Sequence, residues 1–296
     1  MAPSLSRLVS ATALLAASLR GAAAAKPSPG CGSDPQLITD GAATTPLTLT
    51  SNGRTRQFYV KLPEGYDNSH PYRLIFTLHA LGGTAQQVTV GTGGYLPWYG
   101  LPDLESAGND TVGAVYVAPD GISNGWANQG GEDVTFLTSV IETVENDLCI
   151  DQNLRFSTGF SYGAAMSYSL ACSLGREIRA VAALSGNPMI SGCQGGTEPV
   201  AYYGQHGIGD SVLPVAGGRQ MRDRFAENNG CDPGQSPPEP ASGSGQHVKT
   251  ALTGCDPDYP VVWNAFDGDH TPQPVDQGAS GTFSAVETWE FFSQFK

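Results

Sequence analysis

Two patterns of apolar residues alternate along this chain. Nearly continuous apolar runs, which are typical of strands buried on both faces of a sheet, occupy residues 74–79, 112–118, 180–184, 201–206 and 261–266, and an alternating run at 56–62 predicts one more strand. Apolar residues recur at three- and four-residue spacing over 132–148, which predicts a helix, and further helices are predicted at 164–172, 218–228 and 283–295. Strands that alternate with helices favour an α/β fold with a mostly parallel sheet covered on both faces. No change in composition divides the chain, so we predict one domain over residues 26–296.

The most informative stretch is Gly159-Phe160-Ser161-Tyr162-Gly163, which fits the Gly-x-Ser-x-Gly pattern of a nucleophile elbow. A strand-like run precedes it at 154–158 and a helix-like run follows it at 164–172, as an elbow requires. Only small residues two positions to either side of the serine let the strand and the helix pass so closely. A plain turn serine is the competing interpretation, because 38 glycines make chance matches common. The context favours Ser161 as a nucleophile.

The partners of such a serine are expected after later strands, because catalytic groups collect at the carboxyl ends of parallel strands. Asp210 follows the predicted strand 201–206, and His270 follows the predicted strand 261–266. The order Ser161, Asp210, His270 is the nucleophile–acid–base order of the α/β-hydrolases. A neutral histidine can take the serine proton, and a carboxylate can hold the imidazole in the required tautomer. We therefore predict that these three residues form a catalytic triad.

Other histidines and acids compete for the last two positions. His70 and His247 lie in segments that we expect to be surface loops. His79 ends a buried strand and is expected to hold the loop that follows, whereas His206 is expected to pack or to orient its own loop. Asp210 is preferred because it alone follows a strand between nucleophile and base; the competing acids are Asp256, Asp258, Asp267 and Asp269.

An oxyanion hole needs two backbone N–H groups close to the nucleophile. One is predicted at Tyr162, directly after the serine, and the other in the loop after the strand 74–79, at Ala80 or Leu81. That loop resembles the His-Gly loop of lipases and esterases, except that Ala80 stands where glycine is usual. The choice between the two N–H groups therefore stays open at this point.

Residues 1–25 have the features of a secretory signal peptide. Arg7 gives a positive start, residues 8–19 are apolar, and the alanines at 22–25 offer cleavage sites. The apolar run is too short to span a bilayer, so we expect a secreted, extracellular protein without a membrane partner. The net charge of −13 argues against nucleic acid as a partner, because nucleic-acid binding needs a basic face.

The six cysteines are an even number, which in a secreted chain suggests three disulfides. Cys231 and Cys255 bracket a Pro/Gly/Ser-rich segment, and we expect these two to pair. No Cys-x-x-Cys spacing occurs, so no zinc site is expected. Asn109 begins an Asn-Asp-Thr sequon in a Gly/Asp-rich loop and is the predicted glycosylation site.

Several motifs carry a family resemblance that spans nearly the whole mature chain. They are residues 78–83, 117–121, 125–134, the elbow with 166–168, and 206–210 with 267–270. Together they resemble the secreted fungal feruloyl esterases of carbohydrate esterase family 1, which are related to polyhydroxybutyrate depolymerase-like esterases. The resemblance implies an α/β-hydrolase fold, the same triad, and hydrolysis of the ester that joins ferulate or a related hydroxycinnamate to arabinoxylan or pectin. Ala164 is a small departure, since many members have glycine there.

The expected activity is that of a serine esterase working through an acyl-enzyme, with no metal or cofactor. Trp98-Tyr99 and Trp126 could line a pocket for the phenolic ring; alternatively, they pack loops against the body. An acetyl-xylan esterase or polyester depolymerase, a protease, and a non-catalytic wall-binding protein are the other interpretations. No carbohydrate-binding module is expected, because the chain ends soon after its last predicted helix.

Overall fold

The computed structural model describes residues 24–39, 43–108, 110–193 and 195–296. The strands are Leu47–Ser51 (β1), Arg54–Lys61 (β2), Tyr72–Leu78 (β3), Ala114–Pro119 (β4), Ile150–Phe160 (β5), Ala180–Leu184 (β6), Ala201–Gly207 (β7), His247–Ala251 (β8) and Val261–Phe266 (β9). The helices are Ala85–Val90 (α1), Leu101–Ala107 (α2), Glu132–Asp147 (α3), Tyr162–Leu174 (α4), Pro188–Ser191 (α5), Val215–Asn228 (α6) and Phe283–Ser293 (α7). Short 3₁₀ turns lie at Pro97–Gly100, Ile122–Asn124, Gln129–Gly131 and Gly175–Glu177.

Within the described ranges the strands form one sheet in the order β1-β2-β4-β3-β5-β6-β7-β9-β8. The six central strands, β4, β3, β5, β6, β7 and β9, pair in parallel with their neighbours in this series. At the two sides, β1, β2 and β8 pair antiparallel. The carboxyl ends of the parallel strands therefore meet along one edge. β5 lies between β3 and β6, so the residue that follows it is placed near the middle of that edge.

Alternate residues of the parallel strands enter different layers of the core. In β4, Tyr116 packs in the cluster that also contains Trp289 of α7, and the next residue, Val117, packs in the cluster that contains Phe136 of α3. This alternation is the reason that the strands read as unbroken apolar runs. The predicted α/β fold with helices on both faces is confirmed.

The sequence pattern locates the buried strands better than the edge strands. β6 and β9 begin and end at the predicted residues, but β1 and β8 were not predicted, because their burial is mixed and apolar runs are missing there.

The expectation that His247 lies in a surface loop is wrong. It begins β8 and is partly buried, with Nδ1 2.7 Å from Asp276 Oδ2 and Nε2 3.0 Å from Glu287 Oε1. His70 is also partly buried, and its Nε2 lies 2.8 Å from the Val112 carbonyl oxygen.

Three disulfides link parts of the chain that are far apart in sequence. They join Cys31 to Cys149, Cys172 to Cys193, and Cys231 to Cys255, the last being the pair expected from the spacing.

Most of the predicted signal peptide, residues 1–23, and the predicted glycosylation site Asn109 lie outside the described residues. A search of the described helices finds none long and apolar enough to cross a membrane.

Candidate active site

Ser161 lies on a sharp turn between β5 and α4. Its backbone is left-handed in φ, at φ 58° and ψ −114°, a conformation that costs energy for any residue other than glycine. Its N–H donates to the carbonyl oxygen of Leu184 over 2.9 Å, which fixes the turn against β6. The flanking glycines are required by space: a Cβ on Gly159 would lie 2.5 Å from the Gly163 carbonyl carbon, and a Cβ on Gly163 would overlap the Leu78 carbonyl oxygen. The close passage expected of a nucleophile elbow is therefore present.

The loops after β7 and β9 bring an acid and a histidine together beside this turn. His270 Nδ1 lies 2.7 Å from Asp210 Oδ2. The imidazole also packs on the ring of Phe160, with ring centroids 4.4 Å apart, and Phe160 directly precedes Ser161. Because the carboxylate can only accept, the His270 proton lies on Nδ1, and this leaves the lone pair of Nε2 free to act as a base.

Asp210 is enclosed by hydrogen-bond donors. Its Oδ1 accepts the N–H groups of Val212 at 3.0 Å and Leu213 at 2.7 Å. Burial acts to raise the pKa of Asp210, but hydrogen bonds from His206 and His270 and from the Leu213 N–H outweigh it and hold the pKa at about 2. The side chain is therefore an ionised carboxylate at any pH at which a neutral histidine can act as a base.

Asp269, which was considered as the acid, instead ties the two loops to each other. Its Oδ1 accepts the N–H of Ser211 at 2.8 Å and the N–H of His270 at 2.7 Å. Ser211 directly follows Asp210, so this one carboxylate fixes the backbone beside both members of the acid–histidine pair. The hydrogen bonds from Ser211 and His270 also lower the pKa of Asp269.

His79 holds the loop that follows β3. Its Nδ1 donates to the Ala80 carbonyl oxygen at 2.7 Å, and its Nε2 accepts the Gly121 N–H at 2.9 Å. The Trp126 Nε1–H donates to the His79 carbonyl oxygen at 2.9 Å. The side chain is buried, and burial lowers the pKa of His79, so it is a neutral structural residue, as expected from its position.

The geometry distinguishes the two predicted oxyanion N–H groups in this loop. The N–H of Ala80 donates to the Tyr95 hydroxyl at 2.8 Å and is therefore occupied. Leu81 lies close to Tyr162, because a Cβ on Gly125 would be 3.0 Å from Leu81 Cδ1 and 3.6 Å from Tyr162 Cδ1. Of the two N–H groups in this loop, we therefore propose that of Leu81 as the second oxyanion donor. The first is the Tyr162 N–H at the start of α4, where helix N–H groups have no partner within the helix.

Comparison with curated proteins identifies the family. The chain is 49% identical over 294 residues to feruloyl esterase D of Neurospora crassa, covering 98% of each chain. It is 47% identical over 265 residues to feruloyl esterase C of Emericella nidulans, covering 90% of each chain. The chain belongs to the feruloyl esterase family. No model in a scan of protein families matches it.

Two solved esterase structures share the fold of this chain. The acetyl xylan esterase from Aspergillus awamori superposes with a TM-score of 0.58 at 18% identity, over 85% of this chain and 100% of the other. The ferulic acid esterase from Anaeromyces mucronatus, in complex with ferulic acid, gives a TM-score of 0.55 at 17% identity, over 85% and 89%. These similarities show that the α/β fold is that of known esterases.

The two tryptophans singled out from the sequence lie inside the protein. Trp126 is 0% exposed, and its indole N–H donates to the His79 carbonyl oxygen. Trp98 is 4% exposed and packs on Tyr116, with ring centroids 6.2 Å apart. Their burial fits the alternative that they pack loops against the body, and it does not fit direct contact with a phenolic ring. Tyr99 is buried as well.

Two tyrosines shape this site in ways that the sequence did not indicate: Tyr95 has no predicted role, and Tyr99 is predicted only as a pocket residue. Tyr95 occupies the Ala80 N–H, and the Tyr99 hydroxyl donates to the Leu78 carbonyl oxygen at 2.7 Å while it accepts the Phe160 N–H at 2.9 Å. Both tyrosines come from an irregular segment without a motif. Only the concentration of aromatic residues at 95–99 could have drawn attention to them.

Exposed apolar side chains follow three of the parallel strands at the carboxyl edge. Leu81, in the loop after β3, is 58% exposed, Met189, in α5 after β6, is 84% exposed, and Val212, in the loop after β7, is 61% exposed. The Leu81 side chain neighbours that of Tyr162, and the Val212 N–H donates to Asp210. We call these three residues the apolar rim.

Proposed function

We propose that this protein is a secreted serine esterase that hydrolyses hydroxycinnamoyl esters, with feruloyl groups on arabinoxylan or pectin as its natural substrates. The observation that carries the proposal is the 2.7 Å contact of His270 Nδ1 with Asp210 Oδ2 beside the strained Ser161. Relatives named feruloyl esterases, at 49% and 47% identity, support the substrate class. The predicted signal peptide and the three disulfides support secretion, and Asn109 is the proposed glycan acceptor.

The proposed reaction begins with attack of the Ser161 hydroxyl oxygen on the ester carbonyl carbon. His270 Nε2 takes the serine proton, and Asp210 stabilises the resulting imidazolium without itself becoming protonated. The N–H groups of Tyr162 and Leu81 hold the oxyanion of the tetrahedral intermediate. His270 then gives the proton to the departing sugar alcohol, which leaves a feruloyl ester on the serine. Water, activated by the same histidine, releases ferulate and restores the enzyme.

The acyl group is proposed to lie against the apolar rim of Leu81, Met189 and Val212, in place of the buried tryptophans. A hydroxycinnamoyl group carries a flat aromatic ring joined to the reacting carbonyl through a C=C double bond, whereas an acetyl group has only a methyl. Contact with exposed apolar side chains around the serine would therefore favour the larger acyl group. The rim is open to solvent, which agrees with a substrate attached to a polysaccharide.

The test is hydrolysis of methyl ferulate, methyl sinapate and an acetyl ester by the wild-type protein and by Ser161→Ala. We expect release of ferulate by the wild type and a loss of at least about 10⁴-fold in kcat for the serine variant. Acetyl cleavage alone would keep the triad and overturn the feruloyl substrate. Ferulate release by Ser161→Ala would overturn the serine mechanism, and a folded wild type without activity on any ester would overturn the enzyme function.

A further inference from the structure

A second histidine contacts the carboxylate of the proposed catalytic acid. His206 Nε2 lies 2.8 Å from the Leu213 carbonyl oxygen and 3.3 Å from Asp210 Oδ2, and both side chains have no exposed surface. A carbonyl oxygen can only accept, so the His206 proton lies on Nε2. That N–H donates to the Leu213 carbonyl oxygen, and the carboxylate oxygen that faces His270 lies within 3.3 Å of the same nitrogen.

The donors around Asp210 are divided evenly between its two oxygens. Oδ1 accepts the N–H groups of Val212 and Leu213, whereas Oδ2 faces the two histidines, His206 at 3.3 Å and His270 at 2.7 Å. Removal of His206 would leave His270 as the only side-chain partner of Oδ2 among the residues that the structure describes. A buried carboxylate that loses a donor is free to rotate and is less well stabilised as an anion.

The imidazole of His206 is held in one position by its neighbours. It lies in β7, and its ring stacks on that of Trp263 in β9, with centroids 6.5 Å apart. From α6, Gly218 leaves just enough room, because a Cβ there would overlap His206 Nδ1. Nδ1 itself is buried and has no hydrogen-bond partner among the described residues. A packing role alone would be served by an apolar side chain, which would not leave a buried polar atom unsatisfied.

We propose that His206 is a positioning residue of the triad, whose Nε2–H holds Asp210 Oδ2 directed at His270 Nδ1. The inference rests on the proposed roles of Asp210 and His270. It assigns His206 no contact with the substrate, so its loss should lower kcat and leave KM nearly unchanged. It also requires that His206 act only through Asp210.

The first test compares His206→Gln with His206→Leu on methyl ferulate. Glutamine can place an N–H donor close to the position of Nε2, whereas leucine of similar size has no donor. We expect kcat to fall about 10- to 100-fold in the leucine variant, the range found when a residue that hydrogen-bonds a site group is lost. The glutamine variant should regain most of the lost kcat. Equal losses in both variants, or wild-type kcat in the leucine variant, would overturn the proposal.

The second test is a double-mutant cycle with Asp210→Asn. If His206 acts through the carboxylate, adding His206→Leu to Asp210→Asn should change kcat less than about twofold, because residues that act as a unit are not additive. A loss of the same size in both backgrounds would mean a general structural role and would overturn the proposal. Near-ultraviolet circular dichroism and thermal unfolding check the fold of each variant. If the leucine variant does not fold, His206→Asn, whose amide ends short of the Nε2 position, replaces it in both tests.

The control variants separate this inference from the proposed function. His247→Gln alters a different histidine, which is partly buried and lies between two carboxylates. We expect this variant to keep kcat within about twofold of the wild type. Activity in Ser161→Ala, or wild-type kcat in Asp210→Asn, would overturn the triad and this inference with it. Loss of activity in both of those variants, with no effect of His206→Leu, would overturn the inference alone.

Discussion

The His79 imidazole accepts the backbone N–H of Gly121 at Nε2, over 2.9 Å, while its Nδ1–H donates to the Ala80 carbonyl oxygen. The ring thereby connects the loop after β3, which carries the proposed oxyanion N–H of Leu81, to the end of β4. The bond from Gly121 needs a neutral ring, since a protonated Nε2 could not accept, whereas the bond to Ala80 is made by either form of the ring. Acid should therefore weaken this connection.

The first prediction concerns the pH dependence of stability. Burial lowers the pKa of His79 below 6.5, so the folded protein binds fewer protons than the unfolded chain as the pH falls below that value. Stability contributed by neutral His79 is thus complete above pH 6.5 and decreases toward the folded-state pKa, with a slope of at most about 1.4 kcal/mol per pH unit. His79→Gln keeps an acceptor and cannot titrate, so its free energy of unfolding should fall less between pH 7.5 and 5. Urea unfolding of both proteins at both pH values measures this, and parallel curves would contradict it.

The second prediction concerns the elbow glycine. In Gly163→Ala the added Cβ would overlap the Leu78 carbonyl oxygen. Because this oxygen belongs to the backbone of a central strand, it cannot move away as the end of a side chain could. We expect a loss of about 1–3 kcal/mol or more in stability and a fall in kcat, because β3 and α4 must separate. Gly281→Ala is the matched control, since nothing lies within 4 Å of its added Cβ. Equal melting temperatures and kcat for the two variants would show that the close passage is not required.

The third prediction ranks two disulfides. Cys31 and Cys149 are 118 residues apart, whereas Cys231 and Cys255 are 24 apart. Loop-closure entropy gives about 5 kcal/mol for the longer loop and about 3.5 kcal/mol for the shorter one. Replacing both cysteines by alanine should therefore destabilise the protein more for the first pair than for the second, by about 1.5 kcal/mol. Guanidinium unfolding of the two double variants measures the difference, and the reverse order would refute this ranking.

The fourth prediction concerns acyl specificity. Leu81→Ala, Met189→Ala and Val212→Ala should each lower kcat/KM for methyl ferulate about 5- to 30-fold, which corresponds to about 1–2 kcal/mol of lost apolar contact. The same variants should change hydrolysis of an acetyl ester less than about twofold, because a methyl group does not reach the rim. Val286→Ala removes an exposed side chain from α7 and serves as control. Equal losses on both esters would mean that the rim supports the machinery and does not select the acyl group.

The local motif and the chain order were enough to place Ser161, Asp210 and His270 at one edge of the sheet, because Asp210 and His270 follow strands that read as apolar runs and Ser161 follows the strand-like run of the elbow motif. The sequence could not separate Ala80 from Leu81, since what distinguishes their N–H groups is the hydrogen bond that the Ala80 N–H donates to the hydroxyl of Tyr95, fifteen positions away. It could not distinguish a buried tryptophan from a pocket-lining one either. Apolar patterning reports that a side chain prefers to leave water, but not whether protein or substrate covers it.

The hydroxyl of Tyr99 connects the Leu78 carbonyl oxygen at the end of β3 to the Phe160 N–H at the end of β5. The loop with the proposed oxyanion group and the turn with the nucleophile are thereby fixed to each other from within the core. Met189 lies apart from both, in α5 after β6. Leu81 and Val212 contribute to the proposed machinery through their backbone N–H groups and to the apolar rim through their side chains. Side chains of the rim could therefore be exchanged to admit new acyl groups while the backbone that performs the reaction stays the same.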